Sequence, residues 1–129
     1  MRIALDTNRL TDLFRGDMAL AAFLGTCDEV CIPFVVLAEM KAGFYGGNRQ
    51  TQNEGLLAHL LARETVSILL AGRETTEHYA HLFVQLKRAG TPVPDNDLWI
   101  AALAIEHELA LVTRDRHFDG IPQLRRAMS

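Results

Sequence analysis

The chain has 129 residues, 49% of them hydrophobic and 22% charged, the make-up of one ordinary globular domain with enough apolar material for its own core. Its formal net charge of −3 argues against a protein that wraps nucleic acid by bulk electrostatics; any such contact must rest on local Arg and Lys groups and a bound cation. No stretch of 18 or more apolar residues exists to span a membrane, and the opening MRIALDTNRL lacks the apolar centre of an export signal, so a cytoplasmic location without membrane contact is expected.

Ile3 to Leu5 is a short apolar run ending on Asp6, the pattern of a buried strand. Asn8 to Arg15 follows as a helix with Leu10, Leu13 and Phe14 on one face and Gly16 as its stop, and Asp17 suits the cap of a second short helix through Leu24. Cys27 and Cys31 are spaced C-x3-C with no second pair to complete a zinc site, so they read as buried or half-buried free thiols. Val30 to Ile32 is a weak strand before Pro33. Phe34 to Phe44 is helical and ends at Gly46-Gly47. Gln52 to Arg63 carries Leu56, Leu57, Leu60 and Leu61 as an amphipathic stripe. Val66 to Leu70 is a strand. Glu74 to Ala89 is the clearest helix, with Tyr79, Leu82, Phe83 and Leu86 in register and Gly90 at its end. Pro92 and Pro94 keep the chain extended before a nearly all-apolar helix, Leu98 to His107, expected to be central. Leu109 to Thr113 is a strand, and the tail beyond Phe118 holds a turn at Asp119-Gly120 and an edge strand or short helix. Strands alternating with helices predict an α/β sandwich with a mainly parallel sheet, whose working site lies beyond the carboxyl ends of the strands.

Four acids stand at or near such positions. Asp6 follows the first strand, where it serves either as a helix cap or as a metal-ligating carboxylate. Glu39 lies inside an apolar helix, on a face with Val35, Val36, Ala42 and Gly43; a carboxylate there is expected to pair with an Arg or to coordinate a metal. Asp95 and Asp97 crowd one helix start, which is more negative charge than capping needs and calls for a cation or proton between them. Asp115 follows the last strand, as a ligand or as a turn residue paired with Arg114 or Arg116. Carboxylate-rich sites suit hard cations such as Mg²⁺ or Mn²⁺, which cleave phosphodiesters by activating water and stabilising the leaving oxygen. The five histidines show no ligand spacing and read as helix-surface residues, and Trp99 reads as packing.

These residues also carry a resemblance. Leu5-Asp6-Thr7-Asn8 resembles the LDTN opening of PIN domains, and Glu39 with Gly43 their helical ExxxG. Asn96-Asp97-Leu98-Trp99-Ile100-Ala101-Ala102 is similar to their nDlwIAA block, and Leu111-Val112-Thr113-Arg114-Asp115 with Phe118 to their lvTrDxhF block. Four blocks in the expected order span nearly the whole chain, so residues 1–129 are identified as a single PIN domain, most similar to VapC-type toxins of toxin–antitoxin pairs.

The resemblance implies a PIN-like three-layer sandwich with a short mainly parallel sheet flanked by helices. It implies a metal-dependent endoribonuclease that cleaves RNA with Mg²⁺, or Mn²⁺ as substitute. It implies a homodimer, and a VapB-type antitoxin that neutralises the toxin and is its only link to DNA. Asp6, Glu39, Asp97 and Asp115 would be the catalytic and metal-holding acids, with Asn8, Thr113 and Asp95 supporting them through hydrogen bonds. Arg9, where an apolar residue is commoner, would line the RNA groove or pair with an acid. The same fold also serves nucleases of RNA maturation and catalytically silent binding modules. A phosphatase using Asp6 as nucleophile would need a second Asp two residues on, where Asn8 stands.

Overall fold

The computed structural model describes residues 1–128. Four strands, β1 (Arg2–Leu5), β2 (Glu29–Pro33), β3 (Val66–Leu69) and β4 (Ala110–Val112), form one wholly parallel sheet in the order β3-β2-β1-β4. Between them run α1 (Thr7–Phe14), α2 (Met18–Thr26), α3 (Phe34–Gly46), α4 (Gln50–Leu61), α5 (Arg73–Ala89) and α6 (Asp95–Glu106). The first two crossovers step one way along the sheet; the third returns past β2 and β1 to the far side. Right-handed crossovers then place α1 to α4 over one face and α5 and α6 over the other, giving the three-layer α/β sandwich.

Local chemistry sets the boundaries. Asp17 caps α2, its carboxylate accepting from the Leu20 amide. Gly90 ends α5 at φ +74°, a conformation that strains any residue with a Cβ. The helix expected from Leu98 starts three residues earlier, at Asp95, because Pro94 stands just ahead of the first turn and two acids inside that turn complement the helix dipole. Leu98 and Ile100 to Ala104 of α6 are all buried, as an all-apolar helix requires. The register of α5 is only partly as expected: Leu82 and Leu86 are buried, whereas Phe83 is half exposed.

The tail does both things open to it. Arg116–Gly120 winds into a 3-10 turn, and beyond it the chain lies alongside β4. The Leu111 amide donates to the Arg125 carbonyl and the Ala127 amide to the Leu111 carbonyl, in a parallel bridge between Leu111 and Arg126. Leu124 and Ala127 are buried there. Cys27 and Cys31 are buried free thiols, and burial raises the pKa of both.

Candidate metal centre

The sheet reverses direction of growth between β1 and β4, and the carboxyl ends of two such strands frame a crevice. Asp6 leaves β1 at that point, its amide still bonded to the Val112 carbonyl of β4. Its side chain is 4% exposed and fully engaged. Oδ1 accepts from the Thr7 amide at 2.7 Å, which caps α1, and Oδ2 accepts from the Thr113 hydroxyl at 2.6 Å and from the Asn8 amide group at 3.3 Å. The cap and the candidate ligand are thus one residue. Burial pushes the Asp6 carboxyl above its ordinary pKa and the Asp115 charge adds to this, against the Thr113 and Thr7 hydrogen bonds that pull it down.

Asp97 approaches from the first turn of α6. Burial raises its pKa, and the charges of Asp6 and Asp115 raise it further; a hydrogen bond with His117 opposes them. Asp115 enters from the loop after β4 and pairs with neither Arg114 nor Arg116: it caps the 3-10 turn, accepting from the His117 amide at 2.9 Å. One oxygen of Asp97, one of Asp115 and one ring nitrogen of His117 lie within 4.8 Å of one another. The charge of Asp115 raises the proton affinity of both Asp6 and Asp97, and that of Asp6 raises it further at Asp97; a divalent cation would relieve this repulsion and satisfy hard oxygen donors.

Glu39 stands differently from the reasoning that singled it out. The buried side of α3 is Val35, Val36, Met40 and Phe44, whereas Glu39 shares an exposed side with Ala38, Ala42 and Gly43. Its carboxylate is therefore not a buried charge in need of a partner. It accepts from the Thr7 hydroxyl at 2.9 Å, next in sequence to Asp6, and borders a groove of about 590 Å³. That groove follows α1, α3 and α4 and includes Arg15 and Arg49, neither of which has an acidic partner among the described residues.

The supporting residues divide. Asn8 donates to Asp6 and to Thr113, and its carbonyl oxygen accepts from the Arg114 amide; Thr113 also accepts from the Asp115 amide at 3.0 Å. Both tie the ends of β1 and β4 together. Asp95 turns outward instead and accepts from the Tyr79 hydroxyl, and Tyr79 stacks on Trp99 with ring centres 4.2 Å apart. Arg9 is nearly buried and pairs with Asp12 at 2.9 Å, so it holds an acid and does not line a groove.

His117 is the residue that sequence reasoning missed. It lies on the 3-10 turn two residues past Asp115, not on a helix surface. The signal was its position in the fourth block, since helical periodicity does not extend to a tight turn. His59, His78, His81 and His107 belong to no group of three or more closely spaced His, Cys, Asp or Glu ligand atoms among the described residues. A larger cavity of about 750 Å³ opens at the other end of the sheet, but Arg2 there is engaged by Glu29 and Arg125 by the Glu108 carbonyl.

The chain is similar to known proteins. Residues 3–124 match the PIN domain family. Ribonuclease VapC1 of Haemophilus influenzae (strain R2866) is 30% identical over 126 residues, covering 94% of this chain and 92% of that protein. Ribonuclease VapC2 of Rickettsia felis is 30% identical over 118 residues, 91% and 84% of the two chains. Among solved structures, VapBC2 from Rickettsia felis bound to a promoter DNA fragment matches with a TM-score of 0.90 at 27% identity, over 98% of both chains. VapBC-1 from nontypeable Haemophilus influenzae matches at 0.86 and 27%, over 98% and 97%. With the fold matched end to end and the family model covering residues 3–124, the chain belongs to the PIN-domain family.

Proposed function

We propose that the protein is a divalent-metal-dependent endoribonuclease, the toxin of a VapBC pair, acting in the cytoplasm as a homodimer until a VapB-type antitoxin neutralises it. The observation that carries this reading is the grouping of Asp97 with Asp115 beside the carboxyl ends of the strands, with Asp6 at the end of β1 near enough for its charge to act on Asp97 and for that of Asp115 to act on it. Relatives named as VapC ribonucleases and neighbours solved as VapBC complexes support the toxin role and the antitoxin partner.

Asp6, Asp97 and Asp115 would hold the cation, with Glu39 contributing from the groove side. When bound, Mg²⁺, or Mn²⁺ in its place, supplies the Lewis acidity that makes water nucleophilic and offsets charge on the leaving 3′ oxygen. The chain's part is placement. Thr7, Asn8 and Thr113 fix the Asp6 carboxylate on both oxygens, so it cannot rotate away when RNA arrives. His117 Nδ1 faces Asp97 and Asp115, and the pKa of the ring is raised first by the Asp97 hydrogen bond and then by the Asp115 charge. Arg15 and Arg49 give the adjoining groove two positive charges for the phosphates of a single-stranded segment, in a protein whose net charge is otherwise unfavourable.

The test is RNA cleavage with added Mg²⁺ or Mn²⁺ by the wild-type chain and by Asp6→Asn and Asp97→Asn. Each substitution is expected to lower the rate about tenfold or more. Undiminished cleavage by either variant would remove the reading. A reading frame for a small DNA-binding protein beside this gene separates a toxin from a nuclease of RNA maturation.

A further inference from the structure

Among the described residues, the polar partners of the His117 ring are acids. Its Nδ1 is 3.0 Å from Asp97 Oδ2 and 3.1 Å from Asp115 Oδ1, while its backbone amide donates back to Asp115. Among the described residues the ring takes part in no aromatic stacking and is not in the core, and the side chain is 54% exposed. Two oxygens and one nitrogen therefore converge from α6, from the loop after β4 and from the 3-10 turn.

The spacing has a chemical meaning. Neighbouring ligands of an octahedral ion with bonds near 2.1 Å stand about 3 Å apart. The Asp97–His117 and Asp115–His117 separations already have that value, so an ion could be shared with small side-chain adjustments. The nature of the third donor then matters. Mg²⁺ takes oxygen ligands and keeps its waters, whereas imidazole nitrogen is a ligand of transition ions. Manganese accepts both kinds of donor.

We infer that His117 supplies a nitrogen ligand to the cation held by Asp97 and Asp115, and that this nitrogen makes the site prefer Mn²⁺ to Mg²⁺. The inference rests on the reading of this cluster as a divalent-cation centre and adds a residue and an ion preference to it. A carboxylate-only site would discriminate less between the two ions, because both bind oxygen.

The experiment is metal binding by the full chain, without RNA. Calorimetric titration with Mn²⁺ and with Mg²⁺ is done on the wild type and on His117→Gln and His117→Ala, each checked for cooperative thermal unfolding. Pulsed electron paramagnetic resonance of the Mn²⁺-loaded wild type reads directly coordinated ¹⁴N and needs no variant. Expected are tighter binding of Mn²⁺ than of Mg²⁺ and a ¹⁴N modulation that disappears in both variants. Mn²⁺ affinity should fall at least about tenfold on substitution and Mg²⁺ affinity less than about threefold. Absence of ¹⁴N modulation in the wild type, or equal weakening of both ions by the substitutions, overturns the role of His117 and leaves the cation centre standing. Failure of the wild type to bind either ion overturns both.

Discussion

The guanidinium of Arg114 grips the carboxylate of Asp12 with two hydrogen bonds, Nε to Oδ2 at 2.7 Å and Nη2 to Oδ1 at 2.9 Å. Arg114 lies between Thr113 and Asp115, and Asp12 lies on α1, which starts beside Asp6. The pair thus braces the loop after β4 against the helix after β1, with Arg9 holding Asp12 from its buried side. Removing the brace by Arg114→Ala is expected to lower RNA cleavage about tenfold or more, because small displacements of positioned groups are costly. The thermal midpoint should fall only modestly, since Arg114 is 56% exposed and Asp12 keeps its bond to Arg9. A kcat and Tm measured side by side decide this; a collapse of stability, or unchanged cleavage, would show that the pair is not a brace.

Asp97 predicts a trade of stability against activity. Its pKa in the folded protein is raised by burial and by the neighbouring Asp6 and Asp115 charges. A group with a raised folded pKa favours the fold below its unfolded value, near 4, and loses that contribution as pH rises through the folded value. In metal-free protein, Asp97→Asn should therefore match the wild type near pH 4 and become progressively more stable than it toward pH 7. Adding Mn²⁺ should stabilise the wild type and leave the variant nearly unmoved. Differential scanning calorimetry across that pH range, with and without the ion, gives the answer; a gap that narrows with rising pH would contradict it.

Asp12 carries the opposite sign. Hydrogen bonds from Arg114, and then from Arg9, hold its carboxyl below the ordinary range. Its contribution is complete above the unfolded value and disappears only as pH falls through the lowered one. Comparing urea unfolding of Asp12→Asn and wild type should show a destabilised variant at pH 7 and convergence in acid.

The two acids at the start of α6 are expected to behave unequally. Asp95 is engaged by Tyr79 on the outer side, so Asp95→Asn should keep cleavage within about threefold of wild type, whereas Asp97→Asn loses a group of the kind whose removal costs tenfold or more. Equal losses from the two substitutions would place Asp95 in the working cluster after all.

Arg15 and Arg49 are expected to bear on substrate binding and not on bond cleavage. Reversing both to Glu should raise KM for RNA with little change in kcat. It should also flatten the dependence of log KM on log salt by about 1.4, at about 0.7 per phosphate contact on a single strand. An unchanged salt slope would show that RNA does not run along this groove.

The strands and helices were legible because their signals are local: Asp17 and Gly90 mark helix ends by side-chain acceptance and a left-handed backbone, and the apolar run of α6 can only be central. Asp6 and Asp115 were legible as acids following strands in a parallel sheet. Glu39 was singled out by reasoning that fails, because Ala42 and Gly43 are small enough to sit equally well on an exposed side, and composition cannot tell the two sides apart. The N-terminal extension of α6 and the placement of His117 depend on a proline-led turn and a 3-10 turn, neither of which carries a helical repeat. Which acids would share an ion depended on distances across three separate segments.

The tail alongside β4 runs parallel to it, toward the same end of the sheet at which Asp6 and Asp115 emerge. Arg126 donates to the Asp115 carbonyl on the way, and Met128 lies against Arg9. Met1 begins at the opposite end, salt-bridged to Asp28. A purification tag fused after the tail would thus leave from the same end of the sheet as the acid cluster and, if it were a run of histidines, compete there for divalent cations. The same tag placed ahead of Met1 would hang from the far side of the molecule, at the cost of one exposed ion pair.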